Sequence, residues 1–205
     1  MSTWFGVTVR RWQSVASSRR CRCWPCWPAP DWREGDSRKI KTICKDVKGA
    51  DLLFSCPPYA DLEVYSDHEA DLSTLGWPDF EKAYRQIIVD ACAKLADDRF
   101  AVFVTGDARD RDGLYYGIPE VTHFAFEQAG LRKYNEGILR QPLGSLSIRV
   151  GRQFSVSRKL GKAHQNVQVY VKGDPKKATE AIGECEFGDI EAPEPDEHED
   201  LGEPL

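Results

Sequence analysis

Ala50-Asp51-Leu52-Leu53-Phe54-Ser55-Cys56-Pro57-Pro58-Tyr59 is the stretch on which the reading of this chain turns. Its first half is a short apolar run, and two prolines stop it. Proline has no backbone donor and a fixed φ, so no helix interior or central strand continues through Pro57-Pro58. Such a run reads as a buried parallel strand with a polar carboxyl end. Downstream, Pro78 to Ala96 sets Phe80, Tyr84, Ile87, Ile88, Ala91 and Leu95 on one helical stripe. Phe100 to Val104 is a second buried strand, ending at Thr105-Gly106-Asp107. Val121 to Ala129 reads as a helix stopped by Gly130. Leu131–Leu139 and Asn166–Val171 read as strands, the latter alternating Val167, Val169 and Val171. A Gly/Ser/Arg/Lys segment at 140–163 has weak periodicity and reads as a loop between them, which lets the two strands form an antiparallel pair. This order argues for an α/β sheet with parallel crossovers.

In an open α/β sheet, ligands gather beyond the carboxyl ends of the strands. Two ends are polar here, Ser55-Cys56-Pro57-Pro58-Tyr59 and Thr105-Gly106-Asp107. Consecutive prolines leave carbonyl oxygens in a stiff arrangement, and the aromatic after them offers a stacking face. The combination suits an exocyclic amine of adenine or cytosine, a poor nucleophile because its lone pair is delocalised into the ring. Carbonyl acceptors hold such an amine and favour the charge that develops as it attacks a methyl group. The base must leave the duplex to be reached, and an aromatic then stacks on it. A plain turn with a tyrosine covering the core would carry the same residues.

Ser55-Cys56-Pro57-Pro58-Tyr59 resembles the catalytic motif of the amino-methyltransferases, in which Asp, Asn or Ser precedes Pro-Pro and an aromatic. The run from Asp51 to Asp67, then Arg99–Asp110, Leu160–Asp174 and the basic segment between resemble phage and prophage DNA methyltransferases that use S-adenosyl-L-methionine. The resemblance covers roughly residues 31–180. It implies the Rossmann-like class I methyltransferase sheet ending in a β-hairpin, DNA as partner, and N6-adenine or N4-cytosine as target. It also implies that the Pro57 carbonyl accepts from the target amine and that Tyr59 stacks on the flipped base, with Pro58 completing the turn. Cys56 departs from the pattern. A thiol is a weak hydrogen-bond partner, so Ser55 or the backbone is expected to supply the acceptor, and Ser55 is expected to touch the cofactor as well. A nucleophilic Cys56, as in cytosine-C5 enzymes, is the rival chemistry, although those place the cysteine after a proline. Upstream, Asp31-Trp32-Arg33-Glu34-Gly35-Asp36-Ser37 resembles the segment where the family meets the cofactor adenine through an acid, which assigns Asp36 to the cofactor; an N-cap is its other reading. Related enzymes acting on RNA or on protein amides share Pro-Pro-Tyr, and a nucleic-acid-binding remnant without activity is the further alternative.

The cofactor site of this fold needs a glycine-rich turn after a first strand. Upstream of the Pro-Pro motif the glycines are Gly6, Gly35 and Gly49, and no such turn is present in the sequence. The first strand and its turn are therefore expected to be missing, as in an N-terminally truncated enzyme. Phe5–Val9 reads as a degraded second strand. Residues 1–30 hold four of the six tryptophans, five arginines, three cysteines and no acid, a composition that fits no regular element and reads as an irregular or a non-native, out-of-frame segment. Cys21, Cys23 and Cys26 are too few and too tightly spaced for structural zinc, so no metal is expected.

Charge is unevenly spread. Residues 184–205 carry ten acids and no Lys or Arg, and the rest of the chain holds 28 basic residues against 23 acidic. Residues 181–205 are expected to be a solvated acidic tail. The stretch Arg132–Lys162 holds eight basic residues against Glu136 alone, and Arg149, Arg152, Arg158, Lys159 and Lys162 are its candidates for phosphate contact. His164, at the start of the last strand, reads as a strand-edge hydrogen-bonding residue. The chain's 205 residues suit one core, and no apolar run of 18 residues exists to cross a membrane. Seven cysteines, an odd number, together with the lack of a secretory signal, suit a reducing intracellular compartment, which the resemblance implies is the cytoplasm of a bacterium or of a phage-infected host.

Overall fold

Two parallel strands linked by a long helix form the centre of the molecule. The structure, a computed structural model, describes residues 8–10, 33, 35–59, 71–144 and 146–184. In chain order the elements are β1 (Thr8–Arg10), a 3-10 turn at Ser37–Lys39 running into the one-turn α1 (Ile40–Ile43), β2 (Ala50–Ser55), α2 (Trp77–Cys92), β3 (Leu95–Thr105), α3 (Ile118–Gln128), β4 (Arg132–Arg140), α4 (Leu146–Ser157), β5 (His164–Lys172) and α5 (Pro175–Ile182). The sheet order is β1-β2-β3-β5-β4. β2 and β3 are parallel, while β5 is antiparallel to both of its neighbours, β3 and β4. The α/β class and the closing hairpin are as expected from the sequence. The run β2-β3-β5-β4 thus closes on a reversed strand, the antiparallel last pair that the sequence led one to expect.

Several boundaries differ from the sequence reading, each for a local reason. α2 ends at Cys92, before the expected Ala96, because β3 begins at Leu95. Asp97 and Asp98 look like turn residues, yet the strand runs through them with Asp98 at φ 58°, and Asp98 Oδ1 accepts from the Asp174 amide at 2.7 Å. Lys172 Nζ donates to the Leu95 carbonyl at 2.7 Å and to that of Cys92 at 3.4 Å, compensating the negative end of α2. The 140–163 segment is not all loop, since it contains α4. Leu146, Val150 and Phe154 recur every fourth residue there, but no α4 residue is buried, so the apolar pattern is faint. Of the Phe5–Val9 stretch, Thr8 and Val9 lie in β1, which pairs antiparallel directly with β2 through Thr8↔Phe54, Val9↔Leu53 and Arg10↔Leu52. The edge position next to β2 is thus taken by a reversed strand. Cys21, Cys23, Cys26 and most of the acidic tail lie outside the described residues.

One face of the sheet carries the main core. Phe80, Tyr84, Ile87, Ile88 and Ala91 of α2 pack with Leu53, Ala101 and Phe103 of the sheet, and Ala125 and Phe126 of α3 join them. Phe126 stacks on Tyr170 at 4.1 Å and meets Phe103 edge-on at 4.9 Å. Burying each such side chain contributes about 1.5–3 kcal/mol. The opposite face is thinly covered. Ala178 of α5 packs on Phe100 and Val171, whereas Leu52 and Phe54 remain 36% and 39% exposed. Among the described residues no helix is long and apolar enough to cross a membrane.

Candidate functional site

Because β2 and β3 are parallel, the polar ends after Ser55 and Thr105 emerge on the same edge of the sheet. β5 runs the other way, so its first residues lie beside the end of β3, with Thr105 opposite Asn166. Tyr59, Gly106 and Gln165 meet there. Gln165 Nε2 donates to the Tyr59 hydroxyl. The Tyr59 ring lies so close to Gly106 that a Cβ on that residue would stand 3.2 Å from Tyr59 Cζ. The tyrosine is therefore held at its hydroxyl by β5 and supported beneath by a bare backbone, with its ring half-buried. Gly106 lies in the polar strand end that the sequence marks, but neither its role beneath Tyr59 nor Gln165 stands out there. The only signal for the first is a glycine directly after a buried strand.

Pro57 is buried and Pro58 half-buried. Among the described residues, no backbone or side-chain donor reaches the carbonyl oxygens of Cys56, Pro57 or Pro58, which leaves acceptors beside the tyrosine. Ser55 shares the core face of β2 with Leu53 and is fully buried. Its Oγ has no partner among the described residues. An orphan buried hydroxyl costs about 1–3 kcal/mol unless something bonds to it. Cys56 alternates to the exposed side. Burial pushes its thiol above the usual range, and no cation is among the causes, so the thiol is neutral at physiological pH. That is the opposite of what a cysteine nucleophile requires.

The adjacent strand end is built for rigidity. Thr105 Oγ1 donates to Gln168 Oε1 at 3.1 Å, and Gln168 Nε2 donates to the Pro119 carbonyl at 3.2 Å. Asp107 accepts from the amides of Gly117 at 3.0 Å and Ile118 at 3.2 Å, so it caps α3. Burial drives its carboxyl up, against the pull of those two amides.

Asp36 caps the 3-10 turn and binds Arg38, accepting from the Arg38 amide at 2.9 Å and from Nε at 3.0 Å. Burial would raise its carboxyl, but the Arg38 bonds outweigh this and hold it below the ordinary range. Its acceptor capacity is thus largely taken by Arg38, as the N-cap reading has it. S-adenosyl-L-methionine, the donor implied by the resemblance, is met only in part. Ser55 offers one orphan polar atom and Asp36 is engaged by Arg38, and among the described residues no glycine-rich turn stands beside them.

The basic candidates fall into two groups. Arg149 and Arg152 are exposed on α4, and Arg158 follows that helix with its guanidinium 5.4 Å from the Phe154 ring centroid. Lys159 and Lys162 instead lie against the turn after β3, close to Gly113 and Tyr115 respectively. A separate recess of about 440 Å³, lined by Pro78, Glu81, Lys82, Arg85, Gln86 and Gln128, is an open polar hollow on α2 and α3 and holds none of these groups.

No protein-family model and no curated protein matches the sequence. Solved structures do resemble the fold. A Thermus thermophilus protein assigned as a DNA modification methylase aligns at a TM-score of 0.48 and 15% identity, over 68% of this chain and 51% of that one. Its complex with S-adenosyl-L-methionine aligns at 0.47 and 14%, over 68% and 54%. The cytosine-N4-specific PvuII DNA methyltransferase aligns at 0.47 and 14%, over 67% and 47%. The chain spans about half the length of these structures.

Proposed function

We propose that this chain carries the acceptor side of an S-adenosyl-L-methionine-dependent DNA methyltransferase, holding the exocyclic amine of a flipped adenine or cytosine. The observation that carries this reading is Tyr59, fixed over Gly106 by Gln165 next to the open carbonyls of the Pro-Pro turn. The ring offers a face to the extruded base, and the carbonyls of Cys56 and Pro57 are positioned by the prolines to accept from the amine. The donor supplies a sulfonium methyl group when bound. Asp36 and Ser55 are its candidate contacts. The phosphate backbone would lie along Arg149, Arg152, Arg158, Lys159 and Lys162.

The test is methyl transfer from labelled donor to DNA, followed by nucleoside analysis for N6-methyladenine and N4-methylcytosine. Tyr59→Ala should lower transfer about 5- to 150-fold, the worth of one base–aromatic stack, at a temperature well below the melting point of the variant. Transfer that survives Tyr59→Ala at the wild-type rate refutes the stacking role. A second reading, nucleic-acid binding without transfer, is favoured by the engagement of Asp36 with Arg38. Retained DNA binding with no methylated nucleoside at millimolar donor would establish it.

A further inference from the structure

The turn that follows Asp107 is a small closed hairpin. Arg109 and Tyr115 form an antiparallel bridge, the Asp110 amide donates to the Leu114 carbonyl at 2.8 Å, and the Leu114 amide donates to Asp110 Oδ1 at 2.8 Å. Arg109 crosses the turn, donating from Nη1 to the Gly113 carbonyl at 2.7 Å with its guanidinium 3.7 Å above the Tyr115 ring. Two lysines arrive from the connection between α4 and β5. Lys159 lies on Gly113, where any side chain would overlap its ammonium end, and φ of 85° at that glycine adds a second bar to substitution. Lys162 Nζ stands 5.8 Å from the Tyr115 ring centroid. Three cations therefore converge on one turn, and among the described residues none of them is paired with a carboxylate. The acids nearby are engaged or peripheral: Asp107 caps α3 and is drawn on by Lys162 only through space, without an ion pair, Asp110 holds the Leu114 amide, and Asp112 lies exposed at the tip beside Arg111.

The position of this cluster gives it meaning. Arg109 lies three residues after Gly106, which supports Tyr59, and Lys162 lies three residues before Gln165, which bonds to Tyr59. Three residues of extended chain reach about 10 Å, roughly three nucleotide rises along one strand. We propose that Arg109, Lys159 and Lys162, on a floor made by Tyr115, clamp the phosphodiester backbone of the strand that carries the target base. The proposal rests on Tyr59 as the base platform. It separates a clamp on the turn from the arginines of α4, a helix with no buried residue to fix its position.

The experiment measures binding of the full chain to a 30-base-pair duplex holding one mismatched, easily flipped adenine, from 50 to 200 mM KCl, by fluorescence anisotropy. Each of Arg109→Gln, Lys159→Gln and Lys162→Gln should flatten the slope of log affinity against log salt by about one. Uncharged methylphosphonates at the phosphates beside the mismatch should weaken the wild type and leave the triple variant unchanged. Slopes that stay at the wild-type value, or a triple variant weakened by methylphosphonates as much as the wild type, overturn the clamp. If Arg109→Gln lowers the melting temperature, the two lysine variants carry the same test, since both side chains come from outside the turn. Flattened slopes without any methyl transfer would keep the clamp and discard the enzymatic reading; intact transfer with unchanged slopes would do the reverse.

Discussion

Replacing Gly106 by Ala probes the contact on which the site depends. Gly106 is buried, and its φ lies outside the left-handed region, so alanine can adopt its backbone. A Cβ placed there meets Tyr59 Cζ at 3.2 Å, the hydroxyl oxygen at 3.3 Å and Cε2 at 3.4 Å. All three atoms belong to one ring, tied at its hydroxyl to Gln165, so the ring must shift by a few tenths of an ångström. Overpacking of a well-filled site costs about 1–3 kcal/mol; a half-buried ring puts this case near 1 kcal/mol. Without the ring, the alanine should stabilise by about 0.4–1 kcal/mol through the unfolded chain. The substitution is thus expected to be neutral to destabilising with Tyr59 present and stabilising in a Tyr59→Ala background. The coupling of about 1 kcal/mol equals roughly 2–4 °C in melting temperature for a chain of this size. Thermal melts of the four proteins of the cycle measure it. Changes that add within about 0.3–0.5 kcal/mol would refute the placement of Tyr59 on Gly106, and with it the geometry of the base platform.

Two further outcomes follow from the titrating groups. Cys56→Ser should retain methyl transfer and form no covalent adduct with DNA containing 5-fluorocytosine, because burial keeps the thiol protonated; loss of more than about tenfold would return the cysteine to the chemistry. Asp107 has a folded value raised above 3.8 by burial, so the stability its protonated form contributes is fully present below that pH and lost as pH rises through the folded value. Asp107→Asn should therefore gain in melting temperature relative to wild type between pH 3.5 and 7. A difference that is flat or of opposite sign rejects burial as the dominant influence on Asp107.

What was legible in the sequence followed burial. Leu52–Phe54 and Phe100–Val104 are apolar because sheet and helices enclose them on at least one side, and the stripe from Phe80 to Ala91 faces them, so strands, helix and order could all be read. α4 was hidden because its apolar residues touch little. The first part of β3 was hidden by Asp97 and Asp98, whose placement depends on the Asp174 contact 76 residues away. In the site, the Pro-Pro-Tyr turn was readable as local chemistry. Its supports were not, because Gln165 reaches Tyr59 across 106 residues and Arg109 resembles any loop arginine until Lys159 and Lys162 come to lie beside it. Asp36 shows the converse: its bonds to Arg38 and its cap are short-range, so the N-cap reading could be made from the sequence alone.

The placement of β5 between β3 and β4 has a consequence for how the chain is made. β3 and β4 leave the ribosome before the strand that joins them, and neither is paired with the other. Until Lys172 has emerged, 32 residues after Arg140, β3 lacks one neighbour and β4 lacks its only one among the described strands. At about 5–20 residues per second that interval lasts roughly 2–6 s, during which two edges stand open. Gln165 travels in the same late segment, so Tyr59 gains its hydroxyl partner only when the sheet closes. Fixing of Tyr59 and completion of the described sheet are thus a single event, set by the last of its strands to be synthesised.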